Sequence, residues 1–366
     1  MLVYAGFENK SFLFDSPKEI ISCNTHARLK ESFAKMEYFL DMGFFLAGFV
    51  SYEAGYGFED KLFQDKIYSF PLVHIGCYEK PSDANGFTRI RGDAFKIRNI
   101  KPLLSFEAYE KDITRIREYI SEGDVYQITY CLKMKFEFEG DAPSLFFKLL
   151  REQPVPYPAY IDSGDYKILS LSPELFMKKK GRNVTTKPMK GTWHRGGNMF
   201  SDVLARFRLK YDEKNRAENV MIADLLRNDL GRIGTNVRTP RLFEVSGYTT
   251  LFQMTSTVTA QIADKIPVNE LFKAIFPSGS VTGAPKMRAM EIIRELEKEE
   301  RKIYTGAIGF ITPSRELCFN VPIRTLLLSG NNGEMGIGGG IIWDSTPQGE
   351  WDECTLKAKF LTGLER

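Results

Sequence analysis

The stretch YKILSLSPELFMKKKGRNVTTKPMKGT, Tyr166–Thr192, decides the fold class. It sets three strand-like runs, YKILSLS, LFMKK and VTTKPM, close together, and its basic run Phe176–Arg182 reads as an exposed hairpin end. Further runs of the same kind (AYIDS before it; TSTVTAQI, TGAIGFIT, ELCFNVPIRTLLLS and EMGIGGGII after it) share the chain with helices at about Ala142–Arg151, Met199–Tyr211, Arg216–Leu230, Asn269–Ile275, Pro285–Glu300 and Gln348–Leu364. Hairpin-like pairs with helices grouped between them favour an α+β fold over a doubly wound parallel sheet. The stretch also ends on a puzzle, because Lys190 stands between a proline turn and a Gly-Thr pair. A solvated loop lysine, an amine that holds an anion and an amine that attacks carbon all fit that corner.

Upstream, SFLF, FFLAGFVSY and IYSFPLVHIGCY read as strands and Arg28–Leu40 as an amphipathic helix. The polar EKPSDANGFTRIRGD is a long loop or hairpin, after which a new unit begins. There Ser105 is a plausible N-cap, Tyr109, Ile113, Ile116 and Ile120 recur at helical spacing, and Gly123 supplies the stop. VYQITYCLKMKFEFE then alternates like a long strand.

The 366 residues carry 50 Lys and Arg against 47 Asp and Glu, a net +3. That balance is too even for a nucleic-acid-binding face. The five cysteines are scattered without CxxC spacing and only three histidines are present, which argues for a reducing cytosol and against a zinc site. The N-terminus shows no signal peptide, and FFLAGFVSYEAG falls far short of the ~20 apolar residues that span a bilayer. The expectation is a cytoplasmic protein with no membrane or nucleic-acid partner.

Charge appears where core should be. On a helical wheel Cys354, Leu356, Ala358, Phe360, Leu361 and Leu364 form one face of the last helix, with Asp352, Thr355 and Lys359 opposite. Glu350, Glu353 and Lys357 fall in the middle of the apolar face, and Glu218 repeats the anomaly beside Met221, Ile222 and Leu225. A buried carboxylate needs a partner. Three inward glutamates suit Mg²⁺, and pairing with Lys357, Arg227 or Arg324 is the structural alternative.

Two glycine-rich segments invite close backbone approach. FPSGSVTGAPKMRAMEII resembles a phosphate loop but breaks the Walker pattern, leaving a turn whose free N–H groups can bind an anion. GIGGGII, Gly336–Ile342, is no dinucleotide fingerprint, yet glycines in a strand point to a ligand or a backbone nearby.

Taken in order, LSLSPELF, KPMKGT, AENVMIADLLRNDLGRIG, FPSGSVTGAPKMRAMEII, YTGAIGF, VPIRTL, GIGGGIIWDS and EWDECTLKAK resemble the chorismate-utilising enzymes, over roughly Phe106–Leu364. The resemblance implies a large two-sheet α+β sandwich with outer helices and an active site between the sheets. Residues 1–104 would be a β-rich region integrated into that sandwich and 105–366 the catalytic region. It also implies roles. Glu218 and Glu353, with Glu350 close behind, would coordinate Mg²⁺, which holds the ring carboxylate of chorismate together with Thr282, the Gly283 turn and Lys357. Tyr304, Arg324 and the backbone of Gly338, Gly339 and Gly340 would hold the enolpyruvyl side, and Gly191 and Thr192 would line the ring.

The resemblance extends to the branch: members similar to the aminodeoxychorismate synthase component I group carry lysine at the position of Lys190, where relatives on the other branches typically carry alanine. Gln127 stands where water-adding members place a lysine base, and Gln253 where many relatives carry histidine. The implied reaction is amination of chorismate to 4-amino-4-deoxychorismate for para-aminobenzoate and folate, with Glu174 as acid and Lys190 forming an adduct at C2. Desolvation or cationic neighbours (Lys187, His194, Arg195 and the metal) would lower the Lys190 pKa. No glutaminase motif is evident, so ammonia is expected from solution or from a glutamine amidotransferase subunit, and a separate aminodeoxychorismate lyase would act downstream. The rival within the family is anthranilate synthase component I, which adds ammonia at C2.

Overall fold

The computed structural model describes residues 1–364 except 91, 93, 196, 197 and 248–250. Two antiparallel sheets carry the fold. One runs in the order Gly283–Ala284, Gln127–Gly140, Asn332–Ile341, Thr325–Ser329, Lys167–Ser172, Tyr157–Asp162, Leu2–Phe7, Lys10–Phe14, with Phe95–Pro102 also on Gln127–Gly140. The other runs Met189–His194, Leu251–Ile262, Asn183–Lys187, Leu175–Lys180, Leu317–Asn320, Ala307–Ile311, Phe45–Val50, Val73–Tyr78, Glu19–Cys23, with Gly234–Gly247 also on Leu251–Ile262.

Three large cores among the described residues stack these layers, and a fourth, smaller one seats helix Met199–Tyr211 on the second sheet. Val3, Phe7, Ile161 and Ile168 of the first sheet meet Phe49, Leu175, Ile308 and Phe310 of the second, forming the inter-sheet core. The first sheet's outer face packs under Phe106–Ser121, Ala142–Glu152, Lys286–Leu296 and Pro347–Thr362. The second's packs under Leu29–Asp41, Glu213–Gly231 and Val268–Ile275. The result is helix, sheet, sheet, helix, the two-sheet α+β sandwich expected. Each buried Phe or Leu in these layers contributes on the order of 1.5–3 kcal/mol. Alternation along Gln127–Gly140 sends Ile128, Tyr130, Leu132 and Met134 into the helix-side core, so Gln127, Thr129, Cys131 and Lys133 face the other way.

Two runs that read as continuous or as hairpins are crossings between the sheets. Lys167–Ser172 lies in the first sheet and Leu175–Lys180 in the second, so the pair is no hairpin and Glu174 sits where the chain changes layer. Likewise ELCFNVPIRTLLLS divides into Leu317–Asn320 and Thr325–Ser329, with Arg324 at the crossing in a left-handed conformation, φ +50°. The crossings are bonded side by side: Val321 N–H donates to the Glu174 carbonyl at 3.1 Å, and Leu171 N–H to the Arg324 carbonyl at 3.0 Å. Ser172 Oγ adds a bond to the Val321 carbonyl at 2.5 Å.

Several boundaries differ from expectation. Gly234–Gly247 is a strand that periodicity misses, because Pro240 and an exposed, repeatedly bulged edge hide the alternation. Phe95–Pro102 is a strand as well. The helix expected to reach Glu300 stops at Leu296, since Glu297 turns inward to bond Arg301. The N-terminal region supplies both sheets: Leu2–Phe7 pairs with Tyr157–Asp162, and Phe45–Val50 with Ala307–Ile311. Among the described residues no helix is long and apolar enough to cross a membrane.

Candidate active site

Lys190 lies on Met189–His194, which pairs Met189 with Thr255 and Thr192 with Gln253. The register breaks between those pairs, so Lys190 and Gly191 form a bulge, a device that re-aims a side chain. Gly191 takes φ +94°, which other residues rarely adopt, and the Asn215 side chain would crowd a β-carbon at 3.0 Å. Asn215, Glu218, Asn219 and Ile222 share one face of Glu213–Gly231, a helix started by Asp212, whose carboxylate accepts the Asn215 N–H at 2.8 Å. From that face Asn219 Nδ2 donates to the Lys190 carbonyl at 3.4 Å, and its Oδ1 accepts the Ser256 hydroxyl. Asn219 and Ser256 are both buried, and nothing in their spacing marks them in the sequence.

The Lys190 amine meets the glycine strand. A β-carbon on Gly340 would run into the Gln127 amide and come within 3.1 Å of Lys190 Nζ. Gln127 is fully buried, and both its amide nitrogen and oxygen lack a hydrogen-bond partner. Burial pushes the Lys190 amine below the ordinary lysine range; Glu218, Glu174 and Glu353 pull it back up, while Lys357 adds to the fall. The cationic neighbour is therefore Lys357, not the Lys187, His194 and Arg195 expected. Lys187 pairs with Glu244 at 3.8 Å, and Arg195 with Asp202.

Glu174, at the layer crossing, is 2% exposed, and burial raises its carboxyl to about 7. The Ser280 hydroxyl, the Lys190 ammonium and the Met189 N–H work against that rise. Ser280 Oγ donates to Glu174 Oε1 at 2.5 Å and Ser278 lies 2.9 Å from Ser280, so the glycine-rich turn grips the acid. Thr282, also in this turn, spends its hydroxyl on the Ser278 carbonyl at 3.1 Å. Gly279 clears Leu225, and Gly283 clears the Gln127 carbonyl and Ala289, so both serve close packing. Lys286 is paired with Asp229 at 2.5 Å.

The last helix closes the opposite wall. Thr346 caps it by accepting the Gly349 N–H at 3.2 Å, and Pro347 opens its first turn. Glu350, 8% exposed, lies against Gly339 and accepts the Ser345 hydroxyl at 2.7 Å. Lys357 donates to the Gly338 carbonyl at 2.8 Å and pairs with Glu353 at 2.7 Å. The wheel places Glu353 too deep: its side chain is 52% exposed. Leu356, expected on the apolar face, is 38% exposed, whereas Cys354, Ala358, Phe360 and Leu361 are buried.

Charge on this wall is unevenly balanced. Lys357 holds Glu353 below the usual carboxylate range. Burial works against the Lys357 ammonium, and Glu353, Cys354 and Glu350 more than offset it. Burial raises Glu218 and Glu350, and Glu353 raises both further. Among the described residues no three acidic, histidine or cysteine side chains converge tightly enough to hold a metal as they stand. The donor set nevertheless fits a hard cation. It is all oxygen, its members sense one another's charge, and Mg²⁺ commonly uses only one or two carboxylates, completing its shell with water and substrate.

The remaining expected residues spread outward. Tyr304 is buried with its ring against Gly336, further along the same strand. Arg324 is half-buried at the second crossing, Thr192 is exposed at the rim, and Gln253 is buried with its amide oxygen unpartnered.

The model of the chorismate binding enzyme family matches residues 86–363. Aminodeoxychorismate synthase component 1 of Bacillus subtilis is 37% identical over 255 residues, 69% of this chain and 54% of that protein. Anthranilate synthase component 1 of Aquifex aeolicus is 34% identical over 266 residues, 72% of this chain and 54% of that protein. The chain thus spans about half the length of these curated relatives. Among solved structures, anthranilate synthase component I from Streptococcus pneumoniae superposes with a TM-score of 0.78 at 24% identity, covering 98% of this chain and 89% of that one.

Proposed function

The chain belongs to the chorismate binding enzymes, and on that premise we propose that it replaces the C4 hydroxyl of chorismate with ammonia, giving 4-amino-4-deoxychorismate. The observation that carries this reading is the bulged Lys190, its amine lowered by burial and set against Gly340, with the raised carboxyl of Glu174 in its field. A nucleophilic amine must shed its proton and an acid must keep one, and the two environments act in those directions.

The sequence of bonds follows. Neutral Lys190 attacks C2, the two ring double bonds shift, and the C4 hydroxyl leaves as water with the proton of Glu174. Ammonia then bonds to C4 and gives a proton back to Glu174, the double bonds return, and the C2–nitrogen bond breaks to release Lys190 as the neutral amine. Gln127, whose amide carries no charge, replaces a base that would activate water at C2. A magnesium ion held by Glu218, Glu350 and Glu353 would supply positive charge for the ring carboxylate. Lys357 adds a fixed cation on the same wall, and Arg324 and Tyr304 take the enolpyruvyl end. A second component, a glutamine amidotransferase, would provide the ammonia, and a separate lyase would consume the product.

Identity to relatives does not separate this reaction from ammonia addition at C2, since 37% and 34% are close. Product analysis does. With chorismate, ammonium and Mg²⁺ the chain is expected to form 4-amino-4-deoxychorismate, and Lys190→Ala to lose at least a hundredfold in kcat, the range of a lost nucleophile or positioned group. Fluorescent anthranilate formed by the chain alone would sink the reading. A Lys190→Ala variant at the wild-type rate would sink the adduct.

A further inference from the structure

One buried carboxylate outside this site has no part in the chemistry above. Glu53, in the turn Tyr52–Phe58, is 5% exposed. Its Oε1 accepts the Arg301 N–H at 2.6 Å and its Oε2 the Lys302 N–H at 3.0 Å. Tyr52 N–H donates to the Lys302 carbonyl at 2.9 Å, so the two short segments are tied in both directions. Behind them His26 Nδ1 accepts the Gln64 N–H at 3.1 Å, which leaves Nε2 protonated to donate to the Glu53 carbonyl at 2.9 Å. The clamped loop needs holding, because Lys302 at φ +56° and Thr305 at φ +60° are both left-handed without being glycine.

Arg301, pinned by Glu53, is 3% exposed and spends its guanidinium on the active-site walls. Nη1 donates to the Val281 carbonyl at 2.8 Å and to Thr305 Oγ1 at 3.3 Å; Nη2 donates to the Thr129 carbonyl at 2.7 Å. Nε and Nη2 also fork onto Glu297 at 2.8 and 2.6 Å, and the Tyr52 ring lies 4.3 Å from the guanidinium carbon. All five donors of the side chain are therefore engaged. Val281 follows Ser280, the residue that grips Glu174, and Thr129 lies two residues along the strand from Gln127. The guanidinium thus joins the turn that holds the acid to the strand that faces the amine.

We propose that Glu53 is a positioning residue: by pinning Arg301 and Lys302 it fixes the guanidinium that ties the Ser278–Gly283 turn to the Gln127 strand, and through that turn it aims Glu174. The kinetic part of this inference rests on the reaction proposed above. Glu53→Gln keeps the shape but leaves one acceptor for two N–H groups. In the full chain, kcat for chorismate consumption is expected to fall about tenfold or more, with KM within about twofold, as for a misaimed group rather than a lost binding contact. Adding Lys302→Gly is expected to recover most of kcat, because glycine adopts positive φ without a clamp. Hydrogen exchange reads the tie without turnover: backbone amides of 278–283 are expected to exchange about tenfold faster or more in Glu53→Gln, with the sheets unchanged.

A folded Glu53→Gln variant with wild-type kcat, or with unchanged exchange in the turn, overturns the proposal. Should Glu53→Gln fail to fold alone, the double variant carries the test: folded with near wild-type kcat and turn exchange supports it, and folded with either still perturbed tenfold refutes it. Because consumption is followed whatever the product, an unexpected product counts against the amination reading and leaves the Glu53 result legible. A wild type that consumes nothing leaves the exchange measurement to decide.

Discussion

Replacing Glu174 by glutamine should change stability in a strongly pH-dependent way. The side chain is 2% exposed, and folding raises its pKa from 4.5 to about 7. Below pH 4.5 folded and unfolded chains both hold the proton and folding carries no penalty from this group. Between 4.5 and about 7 only the unfolded chain releases it, so stability falls as pH rises, and above about 7 the loss is constant. At 1.36 kcal/mol per pKa unit, the penalty is roughly 1 kcal/mol at pH 5 and roughly 3 kcal/mol at pH 8. Glutamine cannot ionise and still accepts the Ser280 hydroxyl, so Glu174→Gln removes the penalty with little change of shape. Urea unfolding of both chains at the two pH values should show the variant gaining about 2.5 kcal/mol relative to wild type between pH 5 and pH 8. The difference of differences cancels any pH-independent cost of the substitution. Equal effects at both pH values, or a larger loss at pH 8, would refute the burial argument and with it the acid assigned to Glu174.

Other consequences are quicker to test. Gly340→Ala pushes a methyl group into Gln127 and toward Lys190 Nζ; it should lose about a hundredfold in kcat and 1–3 kcal/mol in stability, measured by kinetics and denaturation. Leu361→Ala should cost about 2–5 kcal/mol, whereas Leu356→Ser, at an exposed site on the same helix, should stay within about 0.5 kcal/mol. Chelation should abolish turnover and added Mg²⁺ restore it, with Glu350→Gln raising the Mg²⁺ needed for half-maximal rate; undiminished turnover in chelator would exclude the carboxylate metal site.

What the chain discloses before folding depends on how local the physics is. The Ser105 cap is legible and real, its hydroxyl accepting the Ala108 N–H at 3.3 Å, because capping is decided within a few residues. A helical wheel turns Glu350 and Lys357 inward, and both do meet the glycine strand, since direction follows from spacing. Depth does not: Glu353 and Leu356 protrude, with the Glu353 side chain 52% and Leu356 38% exposed. Gly234–Gly247 escapes because its pattern is broken by bulges that answer to the neighbouring strand. Asn219 and Ser256 escape for a related reason, as two ordinary polar residues whose meaning arises when their elements touch. Lys190 and the glycine strand stand out locally but take their roles only from the ordered set of motifs, and Glu174 is conspicuous only as a member of that set.

The side-by-side crossings at Ser172–Glu174 and Val321–Arg324 lace the sandwich rather than merely stack it. The first sheet draws its strands from Leu2 to Ile341 and the second from Glu19 to Leu317–Asn320, so no contiguous half of the chain can build either layer. A split of the gene at the midpoint should yield two fragments that fold only together. The same lacing sets Glu174 and Arg324 at the two stitches, where the chain passes from one layer to the other.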